Sequence, residues 1–322
     1  MAVGACGDRW DRAPGRGMVS DEIGGCVVRI TYGGLTLSAL MLSVVAFPSS
    51  AATTWESACQ GAIASHSQDQ CDRVRAIGHR AAAGPTTGTN ENTIWALRKD
   101  HRFRAGCETD TWRLADADGH RSAGPSVIFH DQTLNRVVSS ASLAAAKLSP
   151  ETLISDVTNT QRKLLRTKGG EPIPTLKTWL RYAGRWHVPC KVEIKYPPGN
   201  PRAVARWVHR FNAPATFYGA PGVSGSTTCS QQGVLSMLTV GLKVGLKYNP
   251  VCPMSMEQIA GTGYSYVSVI RPTATQVQHA HAHGLRIGTS TGQDPDYWAT
   301  LVEMGADFII APHPGALTTW LR

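Results

Sequence analysis

Short apolar, β-branched runs recur along the chain, and stretches of helical periodicity lie between them. Eight of these runs are strand candidates: Arg75–Arg80, Ala105–Leu114, Cys190–Tyr196, Ala215–Pro221, Gly241–Asn249, Tyr264–Ile270, Gly284–Thr291 and Ala306–Pro314. Helices are expected in the gaps, among them Glu91–Asp100, Pro201–Phe211, Met256–Thr262, Ala274–Ala282 and Asp294–Met304. Alternation of this kind builds parallel strands joined by crossover helices, and eight such units close into an α/β fold, the (β/α)8 or TIM barrel. One interval breaks the rhythm. Over 70 residues separate the second strand from the third, and they include a further strand, Ser126–Asp131, which the turn at Ala117-Asp118-Gly119 folds back as a hairpin arm. A small insertion on the barrel rim, at about 115–175, is the expected result.

The amino terminus follows a different pattern. Leu35–Phe47 is an apolar run of 13 residues, preceded by Arg29 and followed by Pro-Ser-Ser-Ala-Ala, where Ser50 and Ala52 fit a small-x-small cleavage site. A membrane span needs about 20 apolar residues, so residues 1–52 are expected to be a leader with a signal peptide. Residues 53–74 are then an N-terminal extension and 75–322 the barrel. The chain is expected to be secreted.

Composition agrees with a folded chain: 42% of the 322 residues are hydrophobic and 17% charged, neither a disordered nor a polytopic membrane signature. The 52-residue leader holds four basic residues (Arg9, Arg12, Arg16, Arg29) and four acidic ones (Asp8, Asp11, Asp21, Glu22), so the net charge of +9 survives its removal. That charge favours anionic partners without naming one. Six cysteines remain, which in an exported chain implies up to three disulfides. Sequence proximity suggests Cys59 with Cys71 and Cys229 with Cys252, leaving Cys107 with Cys190.

Candidate chemistry sits on the second and third strands. Side chains two apart on a strand share a face, so Glu108 and Asp110 point one way together, and so do Glu193 and Lys195. Three carboxylates and a lysine thus converge inside the barrel. Carboxylates so placed repel and are poorly solvated, and a divalent cation would hold them ionised. An all-oxygen ligand set suits Ca²⁺ or Mg²⁺ better than zinc. The alternative is a buried ion-pair network with Lys195 and Arg80. His79 at the end of the first strand and His130 at the end of the hairpin arm favour the cation, because two imidazoles beside it supply an acid and a base at the barrel's catalytic face. His313, after the eighth strand, is also placed to reach a substrate.

In order and spacing, Gly78-His79-Arg80, Glu91-Asn92-Thr93, Glu108-x-Asp110, Asp118-Gly119, His130-Asp131 with Leu134 and Arg136, Ile173-Pro174-Thr175-Leu176 and Glu193-Ile194-Lys195 resemble the glycerophosphodiester phosphodiesterase family. The resemblance spans roughly residues 75 to 315 and is most specific through Lys195. It implies that Glu108, Asp110 and Glu193 hold one divalent cation, that His79 and His130 form the acid–base pair, and that Arg80 and Lys195 bind phosphate. It also implies hydrolysis of glycerophosphodiesters to an alcohol and glycerol 3-phosphate. An alternative within the same fold is a phospholipase D-like enzyme acting on lysophospholipids or sphingolipids. Three departures line the substrate side: Ala81 replaces a glycine, the seventh strand lacks a tryptophan, and Ala311-Pro312-His313-Pro314 stands where Thr-Asp is usual. The expected partner is a small-molecule or lipid-derived phosphodiester, met by a monomer that makes peripheral contact with anionic membrane or cell wall. Nucleic acid is not expected, since Lys and Arg are dispersed and no recognition module is present.

Overall fold

The computed structural model describes residues 58–63, 68–82, 90–219, 231–289 and 294–322. The chain divides into two compact units, Met1–Thr53 and Thr54–Arg322, and every described residue belongs to the second. The expected leader, Cys229 and the ends of the strands expected at Ala215–Pro221 and Gly284–Thr291 lie outside the described residues.

Eight parallel strands close into a barrel. They are β1 (Arg75–Gly78), β2 (Gly106–Arg113), β4 (Cys190–Ile194), β5 (Ala215–Gly219), β6 (Val244–Lys247), β7 (Tyr266–Ser268), β8 (Arg286–Thr289) and β9 (Phe308–Ala311). Each pairs with the next, and β1 closes the ring by pairing with both β9 and β2. All eight fall within the runs expected from sequence, trimmed at their ends. A ninth strand among the described residues, β3 (Ser126–Ile128), runs antiparallel to the carboxyl end of β2, with Thr111 opposite Ile128 and Arg113 opposite Ser126.

Helices cover the outside of the barrel, and their ends are set by local chemistry. Thr93, Thr175 and Asn200 each cap a helix by accepting a backbone N–H with the side chain, while Ser255 and Thr273 complete capping boxes with Gln258 and Gln276. The helix expected from Glu91 begins at Ile94, because Thr93 is its cap and Glu91 and Asn92 are turned toward the barrel mouth. Among the described residues no helix is long and apolar enough to cross a membrane.

The outward faces of the strands (Cys107, Val192, Phe217, Val244, Leu246, Val267, Ile287) pack with the helices in one apolar layer. Inside the barrel, Ile77, Tyr218, Tyr266, Phe308 and Ile310 form a separate cluster that fills the lumen. Gly245 makes room for it, since a Cβ there would run into the Tyr266 ring. The insertion has a core of its own, built from Trp112, Leu114, Val127, Phe129, Leu134, Val137, Val138, Ile154, Leu165 and Ile173, and it includes two short helices, Ser140–Ala146 and Asn159–Leu164. That core, together with Ile128 packed into the barrel-helix layer, fixes the arm bearing His130.

Two of the expected disulfides are present, Cys59–Cys71 and Cys107–Cys190. Cys252 is also disulfide-bonded.

Candidate active site

Strand alternation carries the three acidic side chains inward. Glu108 and Asp110 leave β2 on the face opposite Cys107 and Thr109, and β4 pairs in register so that Glu193 stands beside Asp110. All three carboxylates are buried, and one oxygen from each lies within 4.8 Å of the others. Lys195, just past β4, bridges the cluster, with Nζ 2.7 Å from Glu193 Oε1 and 3.3 Å from Asp110 Oδ1. The expected convergence of three carboxylates and one lysine is therefore observed.

Several partners were not anticipated. Lys247, at the end of β6, donates to Glu193 Oε2 at 2.9 Å. The Tyr218 hydroxyl, rising from β5, lies 3.0 Å from Glu108 Oε1 and 3.4 Å from Glu193 Oε2. Asn92 donates to Asp110 Oδ2 at 3.1 Å and is itself steadied by the Thr109 hydroxyl, which donates to Asn92 Oδ1 at 2.7 Å. Only Asn92 belonged to a motif read from sequence. Lys247 and Tyr218 carry one shared signal: each occupies an inward position near the carboxyl end of a barrel strand.

The electrostatics of the cluster are unbalanced. Burial is the largest single influence on Asp110 and Glu193 and opposes their ionisation, but Lys195 together with His130, Asn92 and Arg80 at Asp110, and with Lys247 at Glu193, outweighs it, so both carboxyls titrate below their ordinary range. Glu108 lacks such a partner. Burial, followed by repulsion from Asp110 and Glu193, pushes its carboxyl up to about 8 despite the backbone N–H of Arg80, which donates to Oε2 at 2.9 Å. A pocket of three carboxylates that fails to ionise one member near neutral pH fits a divalent cation, which would supply the missing positive charge. A group whose folded pKa is raised loses its stabilising contribution as pH rises toward that value. Cation binding must displace the Glu108 proton at pH 5.5 and need not do so above pH 8. The rise in melting temperature produced by a fixed concentration of Ca²⁺ is accordingly expected to be larger at pH 8 than at pH 5.5, measured by scanning calorimetry. Equal shifts would contradict this assignment.

His79 and Arg80 enter from β1 on an unusual turn. Arg80, Ala81 and Ala82 have φ of 50°, 55° and 46°, three consecutive non-glycine residues in the left-handed region. The turn is held by hydrogen bonds from Ala81 N to Glu108 O (2.8 Å) and from Asn92 N to Arg80 O (2.9 Å). Gly78 precedes it, and a Cβ at that position would collide with Asp100 Oδ1 and the backbone nitrogen of Ala82. Each left-handed residue with a Cβ costs about 1–2 kcal/mol. Ala81→Gly is therefore expected to stabilise the protein by about 1 kcal/mol in thermal or urea denaturation, the glycine's extra freedom when unfolded offsetting part of the relief.

The two histidines are in contrasting surroundings. Burial, then the neighbouring Arg80, lowers His79 to about 4, so its ring is neutral at ordinary pH. His130 is bound at both nitrogens: Nδ1 lies 2.6 Å from Asp131 Oδ1 and Nε2 2.9 Å from Arg80 Nη2. A carboxylate and a guanidinium as neighbours fix the tautomer, with Nδ1–H donating to Asp131 and Nε2 accepting from Arg80. Arg136 fastens this arm by donating to both oxygens of Asp131 and both oxygens of buried Glu91, with its bonds to Asp131 at 2.5 and 2.9 Å. Glu91 also accepts from Arg80 Nη1 at 3.2 and 3.3 Å. Arg80 is thus held at both ends of its guanidinium, while its buried Nε has no hydrogen-bond partner among the described residues. Asp131, Glu91 and Arg136 were legible as motif members, and their shared task was not.

His79, His130, Arg80, Lys195, Glu108, Asp110 and Glu193 are thus gathered at one end of the barrel. Of the two cations in the ion-pair alternative Lys195 pairs with the carboxylates and Arg80 does not, because its guanidinium turns to Glu91 and His130 and only its backbone nitrogen bonds to the cluster; Lys247 takes the second place. His313 is exposed and caps the last helix, Pro314–Leu321, through its backbone position.

No protein-family model matches the chain, and no curated protein matches it in sequence. Solved structures do match. A glycerophosphodiester phosphodiesterase from Parabacteroides distasonis superposes with a TM-score of 0.59 at 18% identity, covering 77% of this chain and 97% of that one. Another from Agrobacterium tumefaciens gives 0.59 at 17% identity over 77% and 100%. What the chain shares with them is the fold. A phosphodiesterase from Oleispira antarctica, solved in complex with the product sn-glycerol-3-phosphate, gives 0.59 at 18% identity over 76% of this chain and 94% of that one.

Proposed function

We propose that the chain is an exported, divalent-cation-dependent phosphodiesterase that hydrolyses glycerophosphodiesters to an alcohol and glycerol 3-phosphate. One observation carries this reading: His79 and the hydrogen-bonded pair of Arg80 and His130 stand beside a buried cluster of three carboxylates at the carboxyl ends of β1, β2 and β4. Glu108, Asp110 and Glu193 would hold the cation, which when bound supplies positive charge against a phosphoryl oxygen. Every other part of the reaction belongs to side chains. Arg80, whose guanidinium lies against His130, and Lys195 offset charge gathering on the transition state.

His79, neutral because it is buried beside a guanidinium, accepts the proton of the attacking water as the water oxygen bonds to phosphorus. His130, backed by Asp131, must exchange its Arg80 contact at Nε2 for a proton, which it then delivers to the alcohol oxygen as that oxygen's bond to phosphorus breaks. The carboxylate at Nδ1 stabilises the charged ring before that transfer. Water is consumed and the proton count balances once the two imidazoles re-equilibrate with solvent. Export is supported by the apolar run at Leu35–Phe47 and by disulfides in the folded unit, which persist in oxidising compartments.

The test is a product-identifying assay, by phosphorus NMR, on glycerophosphocholine, glycerophosphoserine, glycerophosphoglycerol and lysophospholipids with Ca²⁺ or Mg²⁺. Glycerol 3-phosphate from the water-soluble diesters is the expected result. Cleavage confined to lysophospholipids would replace the substrate class, and absence of turnover across the panel would refute the proposal.

A further inference from the structure

Glu193 is bracketed by two ammonium groups that differ in how firmly they are held. Lys195 lies between two carboxylates, Glu193 and Asp110, and its side chain is 14% exposed. Lys247 has Glu193 as its carboxylate partner, at 2.9 Å from Oε2, and its side chain is 28% exposed. The second lysine is therefore the less committed of the two and the more open to the barrel mouth. Its strand matters as well. Lys247 ends β6, which is four strands from β1 in either direction around the closed ring, so it stands on the wall facing His79 and Arg80 across the carboxylates.

Glu193, the carboxylate that Lys247 engages, is one of the three residues that could ligate a cation, so its charge is shared between an ammonium and any divalent cation bound there. A phosphate held over that cluster would meet Arg80 on one wall and find Lys247 on the other. We propose that Lys247 is the exchangeable counter-ion of the site: its ammonium competes with the divalent cation for Glu193 and, once released, binds the substrate phosphate opposite Arg80. This rests on the phosphodiesterase reading for its second half only. The first half concerns cation binding and stands apart from turnover.

The experiment is calorimetric titration of the full chain, first with Ca²⁺ alone and then with sn-glycerol 3-phosphate at saturating Ca²⁺. Lys247→Met is expected to tighten Ca²⁺ binding ten-fold or more, because a competing positive charge is removed, and to weaken sn-glycerol 3-phosphate binding ten-fold or more. Lys247→Arg should return phosphate binding toward wild type. Thermal melts establish that each variant is folded, and Lys247→Gln is read in the same way should the methionine variant not fold. Unchanged or weaker Ca²⁺ binding in a folded variant would overturn the exchange and leave Lys247 a mere prop for Glu193. Unchanged phosphate binding would overturn its role in substrate recognition. A wild-type protein that turns over no diester, yet binds Ca²⁺ more weakly than Lys247→Met, would refute the proposed function while upholding the exchange.

Discussion

On the proposed function, replacing His79 by asparagine is expected to lower kcat for glycerophosphodiester hydrolysis about 10²–10⁴-fold, the usual contribution of a positioned acid or base, with little change in KM. The expectation follows from where the ring sits. It directly follows β1, its backbone nitrogen is fixed to Ala311 O at 2.9 Å, and burial beside Arg80 keeps it uncharged. Asparagine removes the proton acceptor without uncovering a buried charge, so the melting temperature should stay within a few degrees of wild type. The pH profile supplies a second check. A base must be deprotonated to work, so kcat/KM of wild type should fall as pH drops toward about 4, well below the ordinary histidine value of 6.5. His130→Asn should behave differently, because that ring also touches Arg80 and Asp131 and its loss disturbs the Arg80 guanidinium. Wild-type kcat in the His79 variant would show that its ring takes no part in proton transfer.

The Cys107→Ala, Cys190→Ala double variant is expected to lose about 4 kcal/mol of stability. The bond spans 83 residues and encloses the whole insertion, so the closed loop it removes from the unfolded chain is long. For a domain of this size such a loss lowers the melting temperature by on the order of 10 °C. Function should be less affected than stability. Cys107 and Cys190 face away from the lumen, and the β2–β4 ladder that aligns Asp110 with Glu193 runs on past them to Thr111 and Ile194. Ca²⁺ affinity is therefore expected to change by only a few-fold. An unaltered melting temperature would mean that the ladder and the insertion core already restrain the loop.

The parts of the fold legible in the sequence were those governed by period. Apolar runs marked every barrel strand, and alternation within Glu108–Asp110 and Glu193–Lys195 placed the carboxylates on one face, because side-chain direction on a strand is fixed by parity. Helices Pro201–Phe211 and Ala274–Ala282 were read to the residue, each opening on a clear cap or proline. The insertion's short helices were not anticipated, since six or seven residues rich in Ser, Ala, Asn and Thr carry little periodic signal. Within the site, the missing partners were long-range ones. Lys247 lies 54 residues from Glu193 and Tyr218 lies 110 from Glu108, separations at which only the closed ring brings side chains together. The stretch from Glu91 read as helix because Asn-Thr-Ile-Trp-Ala-Leu continues that pattern, whereas Thr93 caps the helix and releases Glu91 and Asn92 to the site. The departure at Ala81 proved tolerable to the backbone: it takes the left-handed conformation that glycine would favour.

On the proposed function, the buried carboxylates serve a cation on which phosphodiester hydrolysis depends. That dependence is tested most directly by measuring release of sn-glycerol 3-phosphate from glycerophosphodiesters in EDTA and after Ca²⁺ or Mg²⁺ is restored, for wild type and for the Glu108→Gln, Glu193→Gln double variant. Product from wild type that vanishes in EDTA, returns with the cation and is absent throughout from the double variant is the predicted result. Equal product from both proteins, unaffected by EDTA, would contradict it.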